Sequence, residues 1–155
     1  MALPSTTLCY ARDDIFRLLD SVMDPELPAI SITDLGIVRD VRVEQDAVVV
    51  ALTPTYSGCP ATQVIEEDVQ RVLREAGVAN VRIERRLAPA WTTDWITPRG
   101  RARLKEHGIA PPSEIRCPQC GSPNVEEFAR FGSTPCKSLY RCNGCREPFD
   151  YVKPH

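Results

Sequence analysis

Apolar positions recur in helical register near the start of the chain. Ile15, Leu18, Leu19 and Val22 fall at i, i+3, i+4 and i+7, which predicts one apolar stripe on a helix over residues 12–23. Asp13 and Asp14 suit its first turn, where the positive end of the helix dipole favours carboxylates. Pro25 stops it, because the residue before a proline avoids the helical region. Residues 37–44 alternate instead, with Ile37, Arg39, Val41 and Val43 on one face and Val38, Asp40, Arg42 and Glu44 on the other. That period predicts a half-buried strand. Gln45-Asp46 makes a short hairpin turn, and the apolar, β-branched run 47–53 predicts a central strand.

A second helix begins near Pro60, where the missing N–H is harmless at the first helical position. Ile65, Val69, Val72, Leu73 and Ala76 form its buried stripe, and Gly77 suits its C-terminal cap. Val81 and Ile83 alternate with Arg82 and Glu84 in a third strand. "PAWTTDW" is a loop whose Trp91 and Trp95 either expose an aromatic patch or cover the sheet edge. Thr97 and Pro98 open a short helix that ends near Gly108. Ala110-Pro111-Pro112-Ser113 reads as a linker. The order helix, strand, strand, helix, strand, helix predicts an α/β (α+β) domain over residues 1–109. It has a three-stranded mixed sheet with helices on one side. Loops at the strand ends would then bring the Asp34, Cys59 and Asp94 segments to one edge.

The pattern changes in the last quarter, which carries five of the seven cysteines. Cys117-Pro118-Gln119-Cys120 and Cys142-Asn143-Gly144-Cys145 are two C-x-x-C pairs with 21 residues between them. Two thiolates on a tight turn both reach one ion, and two such turns complete a tetrahedral four-thiolate site. Strands at 125–131, 137–141 and 148–152 would connect and flank the pairs. A module of about 40 residues buries too little surface to fold alone, and a metal supplies the missing energy. The reading for residues 110–155 is therefore a linker and a zinc-ribbon-like module. Zinc is the default metal. Iron is the alternative, because Cys-Pro-x-Cys-Gly also suits a rubredoxin-like site. A redox dithiol does not explain two pairs in register. Cys136 is an extra thiol: a fifth, exchanging ligand, a partner-facing group or, in keeping with burial statistics, a small buried hydrophobe.

Composition bounds the rest. The chain has 155 residues, 43% hydrophobic and 26% charged, which reads as globular. A net charge of -2 gives no argument for a nucleic-acid partner. No apolar run approaches a membrane span, and "MALPSTTLCYARDD" lacks the apolar core of a secretory signal. No membrane partner and a cytoplasmic location are the expectations. An odd cysteine count argues against a disulfide framework.

Cys59 stands in "TPTYSGCP", between an apolar strand and a helix. Gly58 permits the tight turn. At a helix start, unpaired N–H groups favour a thiolate, which serves as a nucleophile or a soft metal ligand. The other reading is a buried structural cysteine. The chain's two histidines, His107 and His155, lie in neither corner segment, so a Cys–His enzyme is not expected. Asp24, Glu26, Asp34 and Asp94 read as either metal-handling acids or loop caps.

The segments "DPELPAISITDLGIV", "TPTYSGCPAT" and "PAWTTDWITP" resemble the SufT-like metal–sulfur cluster biosynthesis domain family. The tail "FGSTPCKSLYRCNGCREPFDY", together with "RCPQCG", resembles the PaaD family of phenylacetate-degradation proteins, counted among the subunits of phenylacetyl-CoA epoxidase. The resemblance implies a compact domain similar to other iron–sulfur assembly domains. It implies an accessory role in maturing a bacterial oxygenase that epoxidises the ring of phenylacetyl-CoA. The partners would be the di-iron oxygenase subunit and the iron–sulfur flavoprotein reductase. The family's Asp-Pro-Glu and Asp-Leu-Gly segments match Asp24–Glu26 and Asp34–Gly36, its loop cysteine matches Cys59, and its tail cysteines match Cys117, Cys120, Cys142 and Cys145. These imply transient handling of iron or a cluster beside a structural zinc. The alternative is a non-catalytic docking subunit that uses the ribbon as its surface. A homodimer is left open.

Overall fold

The computed structural model describes residues 10–112 and 115–154; Cys9, Ser113 and His155 lie outside them. The chain divides into two compact units, the first ending at Trp91 and the second beginning at Thr92.

In the first unit, α1 (Arg12–Leu19) precedes β1 (Val38–Val43), β2 (Val48–Leu52), α2 (Ala61–Glu75) and β3 (Val81–Arg85). The helix expected to reach residue 23 stops at Leu19. Beyond it the amides of Ser21 and Val22 turn back onto Leu18 and Leu19, at 3.2 and 3.0 Å. The Val22 carbonyl accepts from Ile32 at 3.0 Å, and Met23 bridges Ser31. A long-range pairing has thus replaced the last helical turn, while Val22 keeps its place in the core.

The sheet runs β1-β2-β3, antiparallel between the first two strands and parallel between the last two. This is the three-stranded mixed sheet expected. The even alternation expected over 37–44 is broken, because the register shifts between Val38 and Asp40. Across the bulge, Val38 and Val41 are buried while Arg39 is exposed and Val43 is only partly covered.

Every residue of β2 is buried, so both its faces are covered. On one side lie α1 and α2, which touch each other and reach β1 and β3 respectively. On the other, the register aligns Asp40, Ala51 and Glu84 in one row and Arg42, Val49 and Arg82 in the next. Arg42 Nη2 donates to Glu84 Oε2 at 2.7 Å, and Arg82 pairs with Glu44, so ion pairs from the two edge strands cross above β2. The register sets these charged side chains beside Val49 and Ala51, both of which are buried.

In α2 the residues Ala61, Ile65, Val69 and Leu73 face inward, and Pro60 sits at the cap, one place ahead of its expected position. Gly77 takes φ +94°, and the Val78 amide reaches Leu73 O at 2.9 Å, a closure that satisfies carbonyls of the last turn.

The second unit holds α3 (Pro98–Glu106), β4 (Ile109–Ala110), β5 (Val125–Ala129), β6 (Lys137–Cys142) and β7 (Pro148–Val152). Thr97 Oγ1 caps α3 by accepting from Gly100 N at 3.0 Å. The strands run β4-β7-β6-β5. Ala110, expected to open a linker, instead pairs parallel with Tyr151 beside Ile109 and Asp150. Pro111 then ends the strand, having no N–H to continue the ladder. The core of this sheet is Ala110, Cys117, Cys142, Phe149 and Tyr151, with Tyr140 against both aromatic rings. Among the described residues no helix is long and apolar enough to cross a membrane.

Candidate metal centre and thiol corner

The sulfurs of Cys117, Cys120, Cys142 and Cys145 all lie within 4.8 Å of one another. Cys117 and Cys145 are 3.6 Å apart, as are Cys120 and Cys142. A tetrahedron of sulfurs about 2.3 Å from a zinc ion has edges of about 3.8 Å, so the donor set fits a single four-thiolate metal. Two equivalent turns build it. In the first, Gly121 N donates to Cys117 O at 2.8 Å and Cys117 N to Ser122 O at 3.0 Å. In the second, Arg146 N donates to Cys142 O and Cys142 N to Glu147 O, both at 3.0 Å. Gly121 and Arg146 hold matching left-handed backbones, φ +75° and +71°. Only the first carries the glycine that this conformation favours.

Cys142 Sγ receives the amides of Cys145, at 3.4 Å, and Gly144, at 3.3 Å. Those donors favour its anion and lower the Cys142 pKa to about 6. For Cys145 the Glu147 amide acts in the same sense, but burial and the sulfurs of Cys117, Cys142 and Cys120 outweigh it and push its pKa up to about 12. Crowded thiols resist a second negative charge, and a bound cation supplies what ionises the rest. Cys136 is not part of this cluster. It is buried, its sulfur lies 3.0 Å from Thr134 Oγ1, and its carbonyl accepts from Lys153 N at 3.0 Å.

Cys59 occupies the corner between β2 and α2. Its amide donates to Tyr56 O at 3.3 Å and its carbonyl accepts from Thr62 N at 3.1 Å, while Gly58 turns the chain at φ +79°. The thiol is half-buried and borders a cleft of about 330 Å³ lined by Ser57, Thr62, Gln63, Arg85 and Leu87. A smaller cleft of about 160 Å³, reaching Trp91, shares Pro54, Ser57 and Leu87 with it. Arg85 is held in place by both oxygens of Glu66.

Strand register explains why these groups meet. Val38, Leu52 and Arg85 share one end of the sheet, and Thr53 N donates to Ile37 O at 2.9 Å. The Asp34 loop, the Cys59 loop and the segment after β3 therefore all leave from that end. Trp91 joins them by donating its indole N–H to Leu35 O at 2.8 Å, and is buried rather than part of an exposed patch. Asp34 is buried, and its amide donates to Ser31 Oγ at 3.1 Å. Asp24 acts as a turn cap, its Oδ1 accepting the amides of Glu26 and Leu27 at 2.8 Å each. Its own amide reaches Ile30 O at 3.0 Å, closing the Asp24–Glu26 turn onto the Asp34 segment. Asp94 belongs to the second unit, where it is exposed beside Thr92. His107 ends α3 with Nδ1 at 2.9 Å from Arg103 O. Spacing did not reveal Gln63 or Arg85 at the cleft, since the arginine comes from a neighbouring strand and only the parallel pairing brings it there.

Comparison with known proteins accounts for both halves. Residues 12–84 match a family described as iron-sulfur cluster assembly protein, and residues 102–153 match the PaaD zinc beta ribbon domain. The chain is 47% identical over 150 residues to an Escherichia coli (strain K12) protein, with 90% of this chain and 91% of that one covered. That relative is provisionally named as a subunit of 1,2-phenylacetyl-CoA epoxidase. The chain belongs to the PaaD family. The chain is also 39% identical over 88 residues to an Fe-S protein maturation auxiliary factor of Porphyromonas gingivalis, covering 56% of this chain and 83% of that one. A DUF59 crystal structure from Bacillus anthracis superposes with a TM-score of 0.56 at 28% identity, over 60% of this chain and 90% of its own. These two matches span most of the relatives' own lengths but only 56% and 60% of this chain.

Proposed function

We propose that this chain is a non-catalytic accessory protein of a phenylacetyl-CoA epoxidase system, and that it handles iron or an iron–sulfur cluster for the oxygenase or its reductase. The observation that carries this reading is Cys59. It borders an open cleft at the sheet end where the Asp34 loop also emerges, in the half shared with iron–sulfur maturation factors. A thiol there is a soft ligand for a transient iron cargo, and the Asp34 loop, which leaves the same end of the sheet, carries a harder one. The cargo is a substrate, taken up and passed on. The zinc held by Cys117, Cys120, Cys142 and Cys145 has the separate task of folding the ribbon. The E. coli relative is itself named as a subunit of the epoxidase, which supports another subunit of that complex as the client.

The test is iron per client molecule when epoxidase subunits are co-expressed with wild type, Cys59→Ala or Asp34→Asn. Cys59→Ala should change stability by no more than about 0.5 kcal/mol, as for other half-exposed side chains. Client iron and growth on phenylacetate should both drop. Full client metallation with Cys59→Ala would sink the delivery role. A docking subunit is the second reading, favoured by Phe128 and Phe131, which the ribbon leaves 57% and 66% exposed. Such a subunit stays bound stoichiometrically in the purified complex, whereas a maturation factor leaves behind a metallated client.

A further inference from the structure

The loop that carries Asp34 is held by a chain of side-chain hydroxyls whose polarity can be worked out. Asp34 N–H donates to Ser31 Oγ at 3.1 Å. Ser31 Oγ lies 2.9 Å from Thr33 Oγ1, and the Thr33 hydroxyl donates to Asp20 Oδ1. A hydroxyl has one proton to give. Thr33 gives its proton to the Asp20 carboxylate, so the Ser31–Thr33 bond is donated by Ser31. Every link points the same way, from the Asp34 amide through two hydroxyls to the Asp20 carboxylate.

Two features set this chain apart from ordinary loop packing. The backbone already anchors the loop by itself, through Leu35 N to Ser31 O at 2.9 Å, Gly36 N to Thr33 O at 3.1 Å, and Ile37 N to Ile32 O at 3.0 Å. Ile32 and Leu35 add two fully buried side chains. The hydroxyl chain is thus not required to close the turn. The second feature is where its carboxylate sits. Asp20 is the C-cap of α1, at the negative end of the helix dipole, where an acid is disfavoured. Residues that break a local preference are expected at functional positions.

We infer that Asp20 and Thr33 are positioning residues for Asp34: the Asp20 carboxylate orders Thr33, Thr33 orders Ser31, and Ser31 fixes the amide of the acid at the thiol corner. This rests on the reading of that corner as the iron-handling site. Asp20 itself touches no cargo.

The experiment uses the full-length protein with Thr33→Val, Thr33→Ser, Asp34→Asn and Cys59→Ala. Amide exchange comes first. In Thr33→Val, exchange at Asp34 should rise by about fivefold, the equilibrium factor of one net intramolecular hydrogen bond, while Leu35 and Ile37 keep their protection. Thr33→Ser should restore the wild-type rate. Unchanged Asp34 exchange in Thr33→Val overturns the inference. Iron per co-expressed epoxidase subunit is the second readout. Thr33→Val should lower it towards the Asp34→Asn level with a melting temperature reduced by no more than the few degrees that one hydrogen bond accounts for, and Thr33→Ser should recover both. Should Thr33→Val reduce only the melting temperature, while Asp34→Asn and Cys59→Ala still starve the client, the chain is merely structural and the iron-handling reading survives. Should all three leave client iron intact, that reading falls and takes the positioning role with it.

Discussion

Stripping zinc, or replacing Cys142 with serine, should unfold the ribbon and leave the assembly half folded. The ribbon core is the cluster of Ala110, Cys117, Cys142, Phe149 and Tyr151, and two of those five are ligands. The large members that remain, Phe149 and Tyr151, contribute about 1.5–3 kcal/mol each at Phe-like transfer energies. A structural zinc contributes about 10–16 kcal/mol, as much as the whole stability of an ordinary domain. The metal term dominates, so β5, β6 and β7 should not persist without it. Cys142 is the most damaging ligand to replace. It is fully buried and accepts two amides that serine would hold in a different geometry. The assay is residue-resolved amide exchange with and without a chelator, alongside zinc per chain. Protection should vanish in β5–β7 and remain in β1–β3 and α2, which form a separate compact unit. Retained protection across β5–β7 in metal-free protein would refute the reasoning, since side-chain burial would then suffice.

Zinc affinity should fall as the pH falls, because the ligands bind as thiolates and protons compete for them. Cys142, whose folded-state pKa is lowered to about 6, contributes above the unfolded thiol's value and loses that contribution as the pH drops through about 6. Chelator competition across that range checks the sign, and pH-independent affinity would contradict it. Gly121→Ala should cost about 1–2 kcal/mol of zinc-loaded stability from its left-handed backbone alone, since no atom within 4 Å would meet the new methyl. Arg146 already bears a side chain at the matching position, so a denaturant midpoint unchanged in Gly121→Ala would show the strain argument to be wrong. Replacing Arg42 and Arg82 together with alanine should lower the urea midpoint more than the two single changes combined, because only the double variant removes both ion pairs that span the rows of Val49 and Ala51. Simple additivity would mean the ion pairs act independently of the strand beneath them.

Much of this protein is legible in its residues alone. The stripe Ile65, Val69 and Leu73 fixes α2 because a 3.6-residue period admits one buried face, and the apolar, β-branched run 47–53 predicts the central strand found at Val48–Leu52. The cysteine pairs declared a metal centre because two thiols three positions apart on a turn reach one ion without help from the rest of the fold. Cys59 announced itself through Gly58 and Pro60. These are local signals, each contained in a dozen residues. What remained hidden depends on partners distant in the chain. Ile109–Ala110 is too short to show a period, and only β7, some 40 residues on, makes it a strand. The shift between Val38 and Asp40 is set by pairing with β2, not by any feature of "VRD" itself. The charged residues of the outer strands read only as the polar positions of an alternating pattern, and the sheet register alone brings Arg42 to Glu84 and Arg82 to Glu44 across β2. Asp20 lies unmarked within the span expected for the first helix; its link to Asp34 exists because the chain folds back through Ser31 and Thr33. Periodicity and spacing record what neighbouring residues do together, while hydrogen bonds and ion pairs across strands arise only once tertiary packing has chosen the neighbours.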